Sequence, residues 1–175
     1  DTVTKFYPKF GFNKVEEVIF QRSNNTPPPN YNAVKLNLAN SSDKKLVAEL
    51  INKRAAVSKL FSAYDYGFIT WWYILNFHSN DLYYLPSENV IFISGENIND
   101  LHIYDVIFEH PFNFKDTLPK FLAHNNYQAI NYYFSPDVLN YKFDKTIRSD
   151  DSPLFIRGNF NLEQKQFKYP YTAQT

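Results

Sequence analysis

The residue types that most often carry catalysis are sparse in this 175-residue chain. It contains no cysteine, which excludes disulfides, thiolate zinc sites and a cysteine nucleophile. The four histidines, His78, His102, His110 and His124, do not show the His-x-x-x-His spacing of a zinc site. His102 and His110 could both lie near one strand, either as metal ligands or as partly buried strand residues. The sequence predicts no metal site.

The glycines are too few and too scattered to form a phosphate-binding loop. Only Gly11, Gly67, Gly95 and Gly158 are present, whereas average usage near 7% would give about twelve. Such a loop needs at least two close glycines, because backbone amides must approach the phosphate oxygens. A Walker loop, a dinucleotide fingerprint and a kinase loop are therefore absent from the sequence. The Gly-x-Ser-x-Gly elbow of serine hydrolases is absent as well.

Charge and composition exclude some kinds of binding partner. Lys plus Arg and Asp plus Glu each number 18, so no net positive charge attracts a phosphate backbone. No apolar stretch approaches the roughly 18 residues needed to cross a bilayer, and no signal sequence opens the chain. The content of 44% hydrophobic and 19% aromatic residues indicates a folded core. We expect a cytoplasmic protein that binds neither nucleic acid nor a membrane.

The hydrophobic pattern predicts the elements that must position any site. A strand is predicted over residues 15–21, followed by a Pro-rich linker over 23–33. From residue 34 the predicted order is strand, helix, helix, three strands, helix, strand, short helix and two strands. Residues 64–77 are apolar on nearly every side and predict a buried helix, with a strand as the alternative. This order predicts an α+β fold with a mostly antiparallel sheet.

The first residues carry a short motif of a known family. Residues 6–12, Phe-Tyr-Pro-Lys-Phe-Gly-Phe, precede a predicted strand and resemble a late motif of the GNAT N-acetyltransferases. In that family the tyrosine at the place of Tyr7 lies beside the acyl-CoA sulfur and is often the general acid that protonates the departing thiolate. The resemblance implies that Tyr7 is catalytic and that Phe6, Tyr7 and Phe10 bind the co-substrate acetyl-CoA.

Three further stretches resemble the C-terminal half of a bacterial subfamily with tandem GNAT folds. They are residues 63–69 (AYDYGFI), residues 101–107 (LHIYDVI) and the chain end at 167–175. The resemblance implies a GNAT-like mixed, mostly antiparallel sheet flanked by helices, preceded by the tail of another GNAT domain. Residues 1–22 would be the end of that first domain, 23–33 the linker, and 34–175 a second GNAT-like domain.

The same stretches supply candidate substrate-binding residues, namely Asp65, Tyr66 and Trp71. Asp65, like Asp105 in the second stretch, could contact a cationic amine or order a turn as a cap. Trp71 could line an acceptor pocket or pack in the core. In some multidomain relatives the chain end reaches the active site, so the carboxylate of Thr175 is a second catalytic candidate.

The sequence departs from the family at the loop that binds acyl-CoA, and this leaves two functions open. The family binds the pyrophosphate of acyl-CoA with a Gly-rich loop, but residues 108–114 contain no glycine, Pro111 lacks an amide and Glu109 repels an anion. The chain could be part of an acetyl-CoA-dependent N-acetyltransferase acting on a small-molecule or peptide amine. It could instead be a non-catalytic, GNAT-shaped module that docks a substrate or oligomerises. Strand 15–21 would lack its first-domain neighbours, so we expect it either to join the edge of the second domain's sheet or to pair with another copy, giving a homodimer or a larger assembly.

Overall fold

A seven-stranded mixed sheet forms the centre of the computed structural model, which describes residues 2–23, 30–97, 99–122, 126–140, 143–148, 153–158, 160 and 165–174. The strands are β1 (Asn13–Val15), β2 (Val18–Ser23), β3 (Val34–Lys35), β4 (Leu82–Leu85), β5 (Val90–Glu96), β6 (Asp100–Phe108), β7 (Ala129–Tyr132), β8 (Lys145–Arg148) and β9 (Leu154–Ile156). The α-helices are α1 (Thr2–Phe6), α2 (Ser41–Lys53), α3 (Gly67–Phe77) and α4 (Phe114–Phe121). Short 3-10 helices cover Tyr7–Phe10, Asp137–Leu139 and Tyr171–Ala173.

The strand order of the large sheet is β3-β4-β5-β6-β7-β2-β8. Every neighbouring pair is antiparallel except β6 and β7, which run parallel and are connected through α4. Strands β1 and β9 form a separate two-stranded sheet. The prediction of an α+β fold with a mostly antiparallel sheet is confirmed. No helix in the described part of the chain is long and apolar enough to cross a bilayer.

Strand β2 lies inside the sheet, between β7 and β8. Its residues pair with β7 from Phe20 to Ser23 and with β8 from Val18 to Gln21. The strand expected to lack neighbours is thus hydrogen-bonded on both sides within this chain. The division into a first-domain tail and a second domain stays a prediction, and linker residues 24–29 lie outside the described residues.

The parallel pair β6 and β7 separates after Ile103 and Tyr132, the last paired residues. Beyond that point the C-terminal segment, residues 165–174, runs beside the chain that continues β7. The Tyr171 amide donates to the Tyr133 carbonyl at 3.0 Å, and the Ser135 amide donates to the Lys168 carbonyl at 3.0 Å. The C-terminal segment therefore belongs to the core of the fold.

Two hydrophobic clusters cover the two faces of the sheet. One joins α4 to the sheet, and within it the rings of Phe92 and Phe121 stack with centroids 4.4 Å apart. The other joins α2 and α3 to the opposite face through Val47, Ile74 and Ile91. Side chains alternate between the two faces along β5 and β6, as strand geometry requires.

Helix α3 is buried on one side only. The prediction of a helix in residues 64–77 is confirmed, but the expectation of burial all round is wrong. Thr70 and Ile74 are fully buried, whereas Phe68 is 84% and Trp72 48% exposed. The sheet covers one face of the helix, and no other described element covers the opposite face. Trp71 is half-buried and packs against the cluster formed by α2, α3 and the sheet.

Candidate functional site

A cleft of about 530 Å³ lies between the end of α2 and the start of α3, and we call it the α2–α3 cleft. Lys53 and Arg54 line one wall, and Asp65 and Tyr66 line the other. The two helices approach closely beneath it, because a Cβ on Gly67 would lie 2.8 Å from Cγ2 of Ile51. The structure therefore brings two of the predicted substrate-binding residues, Asp65 and Tyr66, into one cavity.

A buried ion pair joins Arg54, which lines this cleft, to Asp105 of β6. Arg54 donates from Nη2 to Oδ1 of Asp105 at 2.8 Å and from Nη1 to Oδ2 at 3.0 Å. The two side chains are only 7% and 1% exposed. Arg54 also donates to the Thr70 hydroxyl at 3.3 Å, and the Thr172 hydroxyl donates to Asp105. We call these four residues the Arg54–Asp105 network; it joins α2, α3, β6 and the C-terminal segment.

Tyr66 packs against the cationic side of the network. The Arg54 guanidinium carbon lies 4.4 Å from the centroid of the Tyr66 ring, in cation–π geometry. Burial, together with the Asp105 carboxylate, raises the pKa of Tyr66 far above its usual range. Burial is the largest influence on the pKa of Arg54 and lowers it, but the charge and hydrogen bond of Asp105 together with Tyr66 leave that pKa raised. The Tyr66 hydroxyl and Arg54 Nε are buried with no hydrogen-bond partner among the described residues.

The arrangement of Asp105 and Tyr66 favours fixed charge pairing over proton transfer. Asp105 accepts from Arg54 twice, from the Val106 amide at 2.8 Å and from Thr172, so its oxygens are occupied. Tyr66 stays a neutral phenol at physiological pH because its pKa is raised. A general base needs a free site near neutral pH, and neither group provides one. This arrangement suits binding better than acid–base catalysis.

The other predicted site residues form a separate group. Phe6, Tyr7 and Phe10 are all more than a third exposed on α1 and the 3-10 helix that follows it. The Tyr7 ring stacks on Phe155 of β9 with centroids 5.0 Å apart. Thr175 lies outside the described residues. The predicted residues thus fall into an N-terminal aromatic group, the pair Asp65 and Tyr66 at the α2–α3 cleft, and Trp71, which packs against the sheet and does not line that cleft.

The connection from β6 to α4 contains residues 109–113, where the family resemblance predicted a phosphate-binding loop. Asn113 caps α4 by accepting from the Asp116 amide at 3.4 Å, and its own amide donates to the Asp116 carboxylate at 2.6 Å. Glu109, which is half-buried, lies 3.7 Å from His110. Pro111 contributes no amide. The start of α4 is therefore capped by Asn113 and carries the carboxylate of Asp116 in its first turn.

His78 and His102 take structural positions. His102 lies on β6 and its Nδ1 is 2.9 Å from the Tyr133 hydroxyl, while burial lowers its pKa. His78 Nδ1 is 3.0 Å from Asp81. His124 lies outside the described residues. Over the ranges that the structure covers, no group of three or more His, Asp or Glu could hold a metal ion.

A second cleft of about 480 Å³ was not anticipated from the sequence. Tyr31, Tyr83, Tyr104 and Tyr127 contribute to its walls, and the Tyr127 hydroxyl donates to Glu96. Burial and this hydrogen bond raise the pKa of Tyr127. The tyrosines are scattered over nearly a hundred positions, so no local spacing could have grouped them.

No protein-family model and no curated protein matches this sequence. Fold topology and site geometry are therefore the basis for a functional proposal.

Proposed function

We propose that this chain is the non-catalytic, GNAT-shaped part of an acetyl-CoA-dependent N-acetyltransferase, and that it docks the amine acceptor. The element order supports this proposal: two helices separate β3 from β4, a meander follows from β4 to β6, and α4 leads to a parallel β7. That is the element order of the GNAT fold. A shared fold supports a shape but not an activity, which must be argued from the sites.

The connection between β6 and α4 supports the proposal that this chain does not itself catalyse acetyl transfer. A diphosphate binds where free backbone amides point at it from a helix start. Here Asn113 and Asp116 cap that start, Pro111 lacks an amide, and Glu109 adds a negative charge. An anion would lose its hydration without gaining equivalent hydrogen bonds. The role of Tyr7 as an acid, with Phe6 and Phe10 at acetyl-CoA, remains a proposal for a complete GNAT domain.

The α2–α3 cleft is the proposed docking site for the amine. Asp65 is an exposed carboxylate on its wall, and the neighbouring Tyr64 presents a ring that is 97% exposed. A carboxylate beside an aromatic face attracts an ammonium group. The Arg54–Asp105 pair is neutral overall, so among the described lining residues Asp65 supplies the attraction for the amine, while Lys53 on the opposite wall repels it.

Isothermal calorimetry of the 175-residue chain with acetyl-CoA tests the non-catalytic part. We expect no binding heat at micromolar concentrations, because the start of α4 offers no free phosphate site. The α2–α3 cleft is unaffected by this outcome. Micromolar affinity for acetyl-CoA would contradict the proposal.

NMR titration with n-butylammonium chloride tests the docking part. We expect shifts centred on residues 63–67 that disappear in Asp65→Asn and persist in Glu49→Gln, a matched change of an exposed carboxylate on α2. Butyrate, which has the opposite charge, should leave these signals in place. Equal shifts in both variants, or shifts centred elsewhere, would contradict docking at this cleft.

A further inference from the structure

Helix α3 carries an exposed aromatic stripe that its own fold leaves uncovered. Phe68, Trp72 and Leu75 follow one another at helical spacing and are 84%, 48% and 59% exposed. Gly67, Thr70 and Ile74 occupy the opposite side and face α2, the sheet and the C-terminal segment. Phe77, which is 58% exposed, adjoins the stripe, because its ring centroid lies 5.3 Å from that of Trp72. We call Phe68, Trp72, Leu75 and Phe77 the α3 face.

The α3 face has the area of the apolar part of a protein interface. At about 200 Å² for a large side chain, the exposed fractions of its four residues correspond to about 500 Å² of surface. The largest apolar patch on a typical monomer is about 300 to 600 Å², and such patches are often functional. A standard interface buries about 800 Å² on each partner, of which about 60% is apolar, so the α3 face with a polar rim reaches that size.

The charge pattern of the face indicates which occupant it suits. The sequence of α3, GFITWWYILNF, contains no charged residue. Two identical surfaces that meet across a two-fold axis bring identical charges together, and an uncharged surface avoids that repulsion. Helices that lie on lipid usually carry lysines and arginines beside their apolar face, and α3 has none.

We propose that the α3 face is the interface of a homodimer, in which the α3 helices of two copies pack across a two-fold axis. The ridge formed by Phe68, Trp72 and Leu75 inserts into the same ridge of the partner, as in ordinary helix–helix packing. This route replaces the one expected from the sequence, because β2 is already paired on both sides. The dimer does not depend on the proposed docking function.

Sedimentation velocity of the 175-residue chain between 1 and 200 µM tests the proposal. We expect the mass to rise from the monomer value of 20.7 kDa to twice that value with increasing concentration. Phe68→Glu places an anion in each copy of the interface and should weaken the dimer at least 100-fold. Phe10→Glu, which changes an aromatic residue of similar type that is 54% exposed outside the stripe, should leave the dimer intact.

Circular dichroism melts show whether each variant still folds, so that the loss of the dimer is distinguished from the loss of the fold. Phe68 is almost fully exposed, so Phe68→Glu should melt within a few degrees of the parent chain. Leu75→Glu provides a second variant on the same stripe and should also give a monomer. A parent chain that stays monomeric at 200 µM overturns the proposal, including a monomer that co-sediments with phosphatidylcholine vesicles. A dimer that survives both charged substitutions, or that Phe10→Glu also dissociates, overturns it equally.

Discussion

At the residue scale, Asp105 holds together elements that lie far apart in the chain. It accepts from Arg54, 51 positions away, and from Thr172, 67 positions away. Burying a charge is costly unless it is paired and hydrogen-bonded, and Asp105 meets both conditions. The network therefore fixes the position of Arg54 in the wall of the α2–α3 cleft.

We predict that Asp105→Asn destabilises the protein by about 3 to 5 kcal/mol, because it leaves the buried Arg54 cation without a counter-charge. Urea unfolding measures the change. Asp65→Asn is the matched control, and we expect it to shift stability by no more than about 0.5 kcal/mol, since Asp65 is exposed. A loss below about 1 kcal/mol for Asp105→Asn would show that the pair does not hold the site.

At the element scale, β2 decides whether the sheet is continuous. It pairs with β7 through four residues and with β8 through four residues, and Gln21 donates to Asn131 at 2.6 Å across the β2–β7 pair. Without β2, the facing edges of β7 and β8 would expose unpaired amides and carbonyls. The family resemblance assigned this strand to the end of a different domain, but in the structure it connects β7 with β8 in one sheet.

We predict that a chain beginning at Tyr31 loses cooperative unfolding, because it lacks β2. A chain beginning at Asn13 removes α1 and the exposed 3-10 helix but keeps β1 and β2, so it should unfold cooperatively like the parent. Thermal melts followed by circular dichroism compare the three. If the chain from Tyr31 melts like the parent, β2 is dispensable and residues 34–175 form an independent domain.

At the scale of the whole molecule, a buried ion pair joins a residue near the start of the sequence to one near its end. Lys168 Nζ lies 3.5 Å from Oε2 of Glu17, and the Tyr169 amide donates to Oε1 of Glu17 at 2.7 Å. Lys168 is fully buried. Close by, the Val18 amide donates to the Phe167 carbonyl at 3.0 Å. These contacts fix β2 and the C-terminal segment in one arrangement.

We predict that Glu17→Gln and Lys168→Met each destabilise the protein by about 3 kcal/mol or more, since each leaves a buried charge. The double variant should lose less than the sum, with a coupling of about 1 to 3 kcal/mol in a double-mutant cycle measured by urea unfolding. Lys165→Met changes an exposed lysine of the same segment and should stay within about 0.5 kcal/mol of the parent. Additive losses would mean that the two charges do not act as a pair.

Local sequence signals predict the individual elements of this fold. Asn40 caps α2 and Asn113 caps α4, and each cap acts on an amide two or three residues later in the chain. The three strands predicted in succession match β4, β5 and β6, because turn residues and β-branched runs mark strand ends within a few positions. The grouping of Asp65 with Tyr66 also followed from adjacency in the chain.

Only the tertiary structure decided which distant segments meet. The insertion of β2 between β7 and β8, the pairing of Arg54 with Asp105 and the exposure of the α3 face all depend on contacts between residues far apart in sequence. Hydrophobic periodicity shows that a segment has an apolar face, but it does not show whether another segment covers that face. Periodicity does not reveal strand order either, because backbone hydrogen bonds are alike at every position. The neighbours of each strand therefore depend on the packing of the complete chain.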